Sequence, residues 1–479
     1  MPALSGSYVR GMVSRRALLH TAALGAVSAL VGKSTMDVQL IRPGDAAYSD
    51  AKLGYFTQYD AQRPSAIARV ASPADVQRCV EIARAERTRI TARCGGHSYP
   101  GYSTADGALV VDVRGLDRID VRADGTAEVG AGVLLMDLYV ALANAGRMMP
   151  AGTCATVGIS GLTLGGGIGV TARQFGLTCD RLVSARIVTP DGVHRMVSAT
   201  EHADLFWALR GGGGGNFGIV TSFVFRTEPA RNLTTFTLVF PSAALVSLLG
   251  VWPDWQGKAP DALTSTVGVG SGSNPYVEVG GCFAGTPSGL KPLLDDLVRR
   301  VGAQPTSRRE TEQSFLAAME RFAWCKVGDG SCKPSWNGGG GRQSRGSYVA
   351  TSRMLTKPIT DPQKLAEVFR NTPNSYNMID ALGGAVGRGP ATAFPHRGAL
   401  ASIQVELSLQ AGEANARRAM GVARDELGKM FGANGYVNYL DPQMPDWAQA
   451  YYGSSLTGLR EVARKYDPDR VFTFAQGLA

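Results

Sequence analysis

The sequence predicts an α+β fold in two parts, and three features carry the prediction. Residues 150–230 alternate glycine-rich turns with short apolar runs such as 185–188 and 218–220. Beyond Pro229 the chain changes to longer strands of alternating polarity with helical segments between them, which implies a second domain built on an antiparallel sheet with helices on one face. The last fifty residues shift again and close on a short amphipathic helix.

The first clear element is a helix. Ser72-Pro73-Ala74-Asp75 supplies an N-cap, a proline for the first helical position and an acid for the first turn, and Val76, Val80 and Ala83 follow at helical spacing. A strand-like run at 89–93 then ends in Cys94-Gly95-Gly96-His97-Ser98-Tyr99-Pro100. Residues 108–113 and 126–129 have strand character, and 134–145 form a second amphipathic helix closed by Gly146. After Pro229, strands are expected at 234–240, 264–269, 276–283, 347–355 and 400–409, with helices near 289–301 and 411–430. Leu456, Leu459, Val462 and Tyr466 mark the final helix, which Asp467-Pro468 stops. The expected parts are therefore 1–34, 35–229, 230–430 and 431–479.

Composition excludes several classes. A chain of 479 residues that is 44% hydrophobic can build two or three cores, so disordered, collagen-like and small disulfide-stapled proteins are out. A net charge of +9 is mild for this length, and no nucleic-acid partner is expected. Five dispersed histidines lack ligand spacing, so no metal is expected. Seven scattered cysteines do not make a disulfide framework; Cys325 and Cys332 close a short loop and are the one pair placed to bridge. The expected partner is a small molecule, with the chain a monomer or homodimer.

Residues 1–34 carry Arg10, Arg15, Arg16 and Lys33 and no acid. The apolar stretch at 17–31 is shorter than the roughly 20 residues that span a bilayer. Ser14-Arg15-Arg16-Ala17-Leu18-Leu19 ahead of it resembles a bacterial twin-arginine export signal, and a disordered basic tail is the alternative. The expectation is a secreted or periplasmic protein without stable membrane association.

Two glycine-rich stretches carry the chemistry. In Gly95-Gly96-His97, backbone N–H groups lie uncovered beside an imidazole, which suits an anion or a cofactor phosphate. Taken alone, a histidine such as His97 is more often a hydrogen-bonded loop residue. The second stretch runs from Pro150 through Gly152, Thr153, Cys154, Gly158, Gly161 and Gly165-Gly166-Gly167 to Gly169, with no charged side chain until Arg173. Small-residue packing under a sheet is its bland alternative.

In order along the chain stand Arg93-x-Gly95-Gly96-His97-Ser98-Tyr99 with Gly101-Tyr102-Ser103, Ala151-Gly152-Thr153-Cys154 with Val157-Gly158-Ile159-x-Gly161, Gly176-Leu177-Thr178-x-Asp180, and Arg210 through five glycines to Gly218-Ile219-Val220. The ending adds Tyr436-Val437-Asn438-Tyr439-Leu440-Asp441, Trp447, Tyr451-Tyr452-Gly453 and Tyr466-Asp467-Pro468. This sequence closely resembles the berberine-bridge-enzyme-like flavoprotein oxidases. The resemblance implies FAD in a two-part FAD-binding domain of the vanillyl-alcohol-oxidase (PCMH) type, followed by a substrate domain and a C-terminal segment that returns to the FAD domain.

The same resemblance assigns residues. His97 would join the flavin 8α-methyl and Cys154 its C6, giving a doubly tethered cofactor and an open site. Gly95, Gly96 and Ser98 would face the pyrophosphate, with Arg93 and Tyr99 also among the cofactor-binding residues, while Gly152, Thr153, Gly158, Gly161 and Gly167 let the chain pass close to the dinucleotide. Gly218, Ile219 and Val220 would contact the adenine side. Leu182 would stand near the oxygen-approach side, where relatives tend to carry a smaller valine, so oxygen and another terminal acceptor both stay open.

Oxidation of a hydroxyl-bearing carbon needs a hydride acceptor and a base. Tyr439 matches the family's tyrosine base; Tyr436 falls on the opposite face of a regular strand and is the weaker candidate unless the chain turns. In the 400–409 strand, Ser402, Gln404, Glu406 and Ser408 alternate with Ala401, Ile403, Val405 and Leu407, so one face is polar. Some members of the family place an acid base on this sheet, so the resemblance makes Glu406 a competing base and Gln404 and Ser402 substrate contacts; a solvent-facing edge strand is the alternative. The loops at 337–345 and around Met444-Pro445 fall where relatives vary with substrate. The expected activity is an FAD-dependent oxidase acting on an alcohol carbon of a sugar or secondary metabolite, with O2 reduced to H2O2. Oxidative ring closure of a natural product, a dehydrogenase with a non-oxygen acceptor, and a flavin-carrying protein without turnover are the alternatives.

Overall fold

The computed structural model describes residues 38–272 and 275–478. The export signal expected in 1–34 lies outside the described residues. The helix expected after Ser72 is Pro73–Glu86, and its start is a full capping box: Ser72 Oγ accepts from the Asp75 N–H while Asp75 accepts from the Ser72 N–H.

Two sheets build the region before Pro229. The first joins Leu40–Ile41, Ala66–Arg69, Leu109–Asp112 and Ile90–Arg93, with the last three parallel. The second is antiparallel, in the order Ile119–Val121, Thr126–Gly130, Ile219–Arg226, Leu182–Val188 and His194–Ser198. One apolar core runs through both sheets and takes in the Leu135–Asn144 helix.

The third sheet has seven strands, all antiparallel: Ser307–Gln313, Leu233–Phe240, Tyr276–Phe283, Leu263–Gly270, Ser375–Ala381, Ala401–Ser408 and Tyr348–Leu355 in spatial order. The helices Leu245–Lys258, Pro287–Val301, Pro362–Asn371 and Glu413–Phe431 share a core with one face of it. That face carries Leu238, Val279, Val267, Ile379 and Ile403, every second residue of the strands. The other face carries the intervening residues and looks onto the glycine-rich segments.

Two of the seven strands escape the periodicity argument. Ser307–Gln313 is an edge strand of almost wholly polar residues and has no apolar alternation to detect. Ser375–Ala381 does alternate, but its Asn377 and Asp380 are poor strand formers. The 400–409 strand is not an edge: Ala401–Ser408 lies between Ser375–Ala381 and Tyr348–Leu355, so its polar face is not a solvent-facing rim.

Buried polar clamps bind these layers. Arg173 donates to the carbonyls of Ala259, Leu263 and Leu382 at 3.0, 2.9 and 2.6 Å. The C-terminal segment returns to the glycine-rich region, where Asn438 Nδ2 donates to Leu162 O at 2.9 Å and the Leu478 N–H to Asn216 Oδ1 at 3.1 Å.

Candidate active site

The Gly95-Gly96-His97-Ser98 turn leaves the end of the Ile90–Arg93 strand and abuts the 154–158 segment without room for side chains. A Cβ on Gly95 would lie 2.3 Å from Thr156 O, and one on Gly158 would lie 2.3 Å from Cys94 Sγ. Only glycine permits that approach. It turns His97 and Cys154 into one cavity of about 1650 Å³ whose opposite wall is the polar face of the seven-stranded sheet. The volume exceeds the roughly 300–1,000 Å³ of an ordinary small-molecule site, so a dinucleotide and a substrate can share it.

His97 is buried against Tyr55, whose ring stacks on it at 4.0 Å and 15°, and its Nε2 meets Thr156 Oγ1 at 2.9 Å. Burial pushes its pKa down to about 3, so the imidazole is neutral, and Nδ1 is the nitrogen left without a partner among the described residues. Cys154 opens onto the cavity, while protein walls it elsewhere. Burial, followed by the charge of Glu406, pushes its thiol up to about 11.

The opposite wall holds a connected polar set. The Tyr99 hydroxyl donates to Glu406 Oε1 at 2.9 Å and accepts from Gln404 Nε2 at 2.7 Å. Burial raises Glu406 to about 7, although the Tyr99 bond pulls the other way. Asp380, a buried cavity-lining acid held by Thr266 Oγ1 at 2.8 Å, is raised by burial to about 6. The Tyr439 ring meets Tyr99 edge-on at 6.0 Å and also faces the cavity.

The predicted residues divide. Gly95, Gly96, His97, Ser98, Tyr99, Gly152, Thr153, Cys154, Gly158, Gly161, Gly218, Ile219, Val220, Gln404, Glu406, Tyr436 and Tyr439 all line the cavity. The others do not.

Arg93 is 1% exposed and its guanidinium is committed elsewhere: to Asp112 at 2.9 Å and to the carbonyls of Ala51 and Lys52. It supports the turn from beneath and does not face a ligand. Gly167 is required by Thr178, whose Oγ1 a Cβ would meet at 2.2 Å, so a chain contact and not a cofactor explains it. Leu182 is buried at the start of its strand and does not line the cavity. Ser402 shares the polar face of its strand but lies beside Asp380, buried and off the cavity.

The tyrosines are also rearranged. A 3-10 turn at Val437–Tyr439 replaces the expected strand and brings the Tyr436 and Tyr439 rings together at 5.0 Å. The Tyr436 hydroxyl accepts from the Gly167 N–H at 2.7 Å and from Asn438 Nδ2 at 2.8 Å, so it is a strut and not a base. Tyr439 has no cation beside it among the described residues. Burial and the neighbouring Asp380 push its pKa well above the usual value, opposite to what a phenolate base requires.

The residues present fit FAD. The N–H groups of Gly96, His97 and Ser98 donate to no acceptor among the described residues, an uncovered nest suited to phosphate. A Cβ on Gly161 would project into open cavity, marking a surface kept bare for a ligand. The 337–345 loop has a structural task as well: Asn337 hydrogen-bonds Asp50 and Asp112, beside Trp336, whose ring meets Tyr55 and His97 edge-on.

A glycine-built dinucleotide cradle facing a polar sheet defines an FAD-dependent oxidoreductase. Residues 64–198 match the FAD binding domain family and 435–479 the berberine and berberine-like family. The chain is 32% identical over 460 residues to an uncharacterised FAD-linked oxidoreductase of Bacillus subtilis, YgaK, covering 93% of this chain and 98% of that protein. It is 29% identical to a carbohydrate oxidase of Microdochium nivale, with 95% of each covered. A glucooligosaccharide oxidase from Acremonium strictum, which carries a 6-S-cysteinyl, 8α-N1-histidyl FAD, has the same fold: TM-score 0.83 at 24% identity, over 92% of this chain and 97% of that one. The chain belongs to the berberine-bridge-enzyme-like FAD-linked oxidoreductases.

Proposed function

We propose that the protein is an oxidase that converts a hydroxyl-bearing carbon of a sugar, or of a glycosylated molecule, to a carbonyl, with O2 reduced to H2O2. One observation carries the reading: Glu406, held near neutral pKa, shares a hydrogen-bonded set with Tyr99 and Gln404 in the cavity that also contains His97 and Cys154. When bound, FAD supplies the acceptor for a hydride and passes the electron pair to oxygen. The likeness to a carbohydrate oxidase supports a sugar as the donor.

The chain's own residues have separate tasks. His97, neutral and with Nδ1 unpartnered among the described residues, and Cys154, open to the cavity, are the two tethers; a neutral imidazole and the thiolate that Cys154 forms on losing its proton are competent nucleophiles for an electron-poor ring. Glu406 takes the hydroxyl proton. Its pKa near 7 suits a base that must ionise yet hold a proton briefly. Gln404 and Tyr99 orient the carboxylate, and Tyr439 offers a hydroxyl to the substrate. Tyr439, whose ring faces the same cavity, is the second candidate for the base.

The test is anaerobic mixing of the purified flavoprotein with mono- and oligosaccharides. Bleaching of the flavin, then one H2O2 per carbonyl formed when air is admitted, is the expected result. A flavin that no sugar or glycoside bleaches overturns the reading, and a cyclised product assigns ring closure instead.

A further inference from the structure

Gly268 and Gly270 stand on the cavity face of the central strand Leu263–Gly270, while Val267 and Val269 between them pack into the core behind. Glycines inside a strand weaken it and mark a close approach from above. Here the approach comes from the neighbouring strand, Tyr276–Phe283. The Glu278 side chain lies over Gly268, where a Cβ would meet its Cγ at 3.0 Å and its Oε1 at 3.1 Å. The Tyr276 ring lies over Gly270, where a Cβ would meet its Cε1 at 2.4 Å. Both side chains are thus laid flat across the sheet, toward the strands that carry Gln404 and Glu406.

Strand register connects them to the catalytic groups. Glu278, Gly268, Met378 and Gln404 form one row across four strands, and Tyr276, Gly270, Tyr376 and Glu406 form the next. The Tyr276 and Tyr376 rings are 6.4 Å apart at 35°, and Glu278, Met378, Tyr376, Gln404 and Glu406 all line the cavity. With strands roughly 4.8 Å apart, a carboxylate over Gly268 stands about 10 Å from the Gln404 and Glu406 strand. These rows are short of donors. Glu278 has no hydrogen bond or ion pair among the described residues; burial raises its pKa, and Arg321, the cation that acts on it, donates instead to Thr237 Oγ1 at 2.9 Å. Gln404 is wholly buried, and its Oε1 accepts from nothing among the described residues. A half-buried, unpaired carboxylate beside two aromatic rings is the composition that holds an alkyl ammonium: the charge meets the carboxylate, and the rings attract the cation.

We infer that Glu278, Tyr276 and Tyr376 form a subsite for a protonated amine, and that the preferred substrate is an amine-bearing alcohol whose ammonium lies about 10 Å from the hydroxyl that Glu406 deprotonates. This rests on the alcohol-oxidising reading of the cavity and adds a requirement for positive charge, which a neutral sugar does not meet.

The probes are 4-O-alkyl ethers of glucose whose chains of two, four, six or eight methylenes end in either an amine or a hydroxyl. Calorimetry at pH 8, where an alkylamine is still protonated, measures their binding to the FAD-loaded enzyme under nitrogen. The expected result for wild type is about tenfold tighter binding of the amine than of its hydroxyl twin at the linker that spans about 10 Å, with a smaller difference at other lengths. Glu278→Gln abolishes the difference and leaves binding of the hydroxyl series unchanged. Tyr376→Phe, which keeps the ring, preserves the difference, and Tyr376→Leu reduces it. Equal binding of the two series to wild type at every length overturns the inference, as does an amine preference that survives in Glu278→Gln. A Glu278-dependent amine preference without flavin bleaching keeps the subsite and sinks the oxidase reading; equal binding and bleaching by both series does the reverse.

Discussion

The Tyr99 hydroxyl donates to Glu406 Oε1 at 2.9 Å across the gap between the glycine-rich turn and the polar sheet. Through this bond the residue two places after His97 steadies the acid on the opposite wall. Burial lifts Glu406 to about 7, so the ionised, base-competent form grows in as the pH passes neutrality. The kcat/KM profile should rise with unit slope on its acid side and level off just above pH 7. Glu406→Gln should remove that limb and cost about 10²- to 10⁴-fold in kcat. An unaltered acid limb in the variant would assign the base elsewhere, with Tyr439 next in line.

The same carboxyl makes a stability prediction of opposite sign to that of a salt-bridged acid. Its pKa is raised on folding, so between about 4.5 and 7 the folded state retains a proton that the unfolded state has released. Unfolding free energy attributable to this group therefore falls as the pH rises through that window. Denaturant titrations at pH 5 and pH 8 should show wild type losing stability relative to Glu406→Gln; parallel curves would show that the carboxyl is not desolvated.

Tyr436 and Tyr439 should separate in their effects. Tyr436→Phe removes the acceptor of the buried Gly167 N–H and of Asn438, and an orphaned buried donor costs about 1–3 kcal/mol. Tyr439→Phe orphans no backbone group and removes only a hydroxyl that faces the cavity. Urea unfolding should register the first change, and kcat/KM the second. A stability loss confined to Tyr439→Phe would reverse these assignments.

Much of this site is legible in the chain itself. Gly95, Gly96 and Gly158 announce a close approach of backbones, and the alternation around Gln404 and Glu406 announces a polar face; both are local patterns set by glycine geometry and strand periodicity. What sequence could not supply was direction. Arg93 sits in the same motif as His97, but its side chain turns under the strand to Asp112, and only tertiary packing decides that. Gly167 is as conspicuous as Gly161, yet one accommodates Thr178 and the other faces open cavity. Asp380 had a usable signal, since Tyr376, Met378 and Asp380 alternate with Asn377 and Ile379, but a strand of seven residues containing asparagine and aspartate gives it weakly.

The two tethers should be separable by denaturation. His97→Ala and Cys154→Ala should each retain flavin fluorescence on a denaturing gel through the remaining bond, and the double variant should release all of it. Release from either single variant would mean that only one bond forms.

Arg93→Ala should behave as a stability variant. Arg93 and Arg114 hold the Asp112 carboxyl below its usual value despite its burial, and removal of Arg93 leaves that buried charge undercompensated. Such a loss costs about 3–5 kcal/mol. Denaturant unfolding should fall by that amount, whereas a variant that folds normally but binds FAD weakly would restore Arg93 to the cofactor's surroundings.

The Cys325–Cys332 link spans seven residues of sequence, so loop closure alone contributes about 2 kcal/mol. Glu320 already holds the same loop through the Val327 N–H and Lys326, which lowers the entropy left for the disulfide to remove. The double variant Cys325→Ser with Cys332→Ser should therefore lose less than that figure in urea unfolding, while Glu320→Gln in the same background should lose more than the sum of the separate changes. Strict additivity would show that the two restraints act on independent parts of the loop.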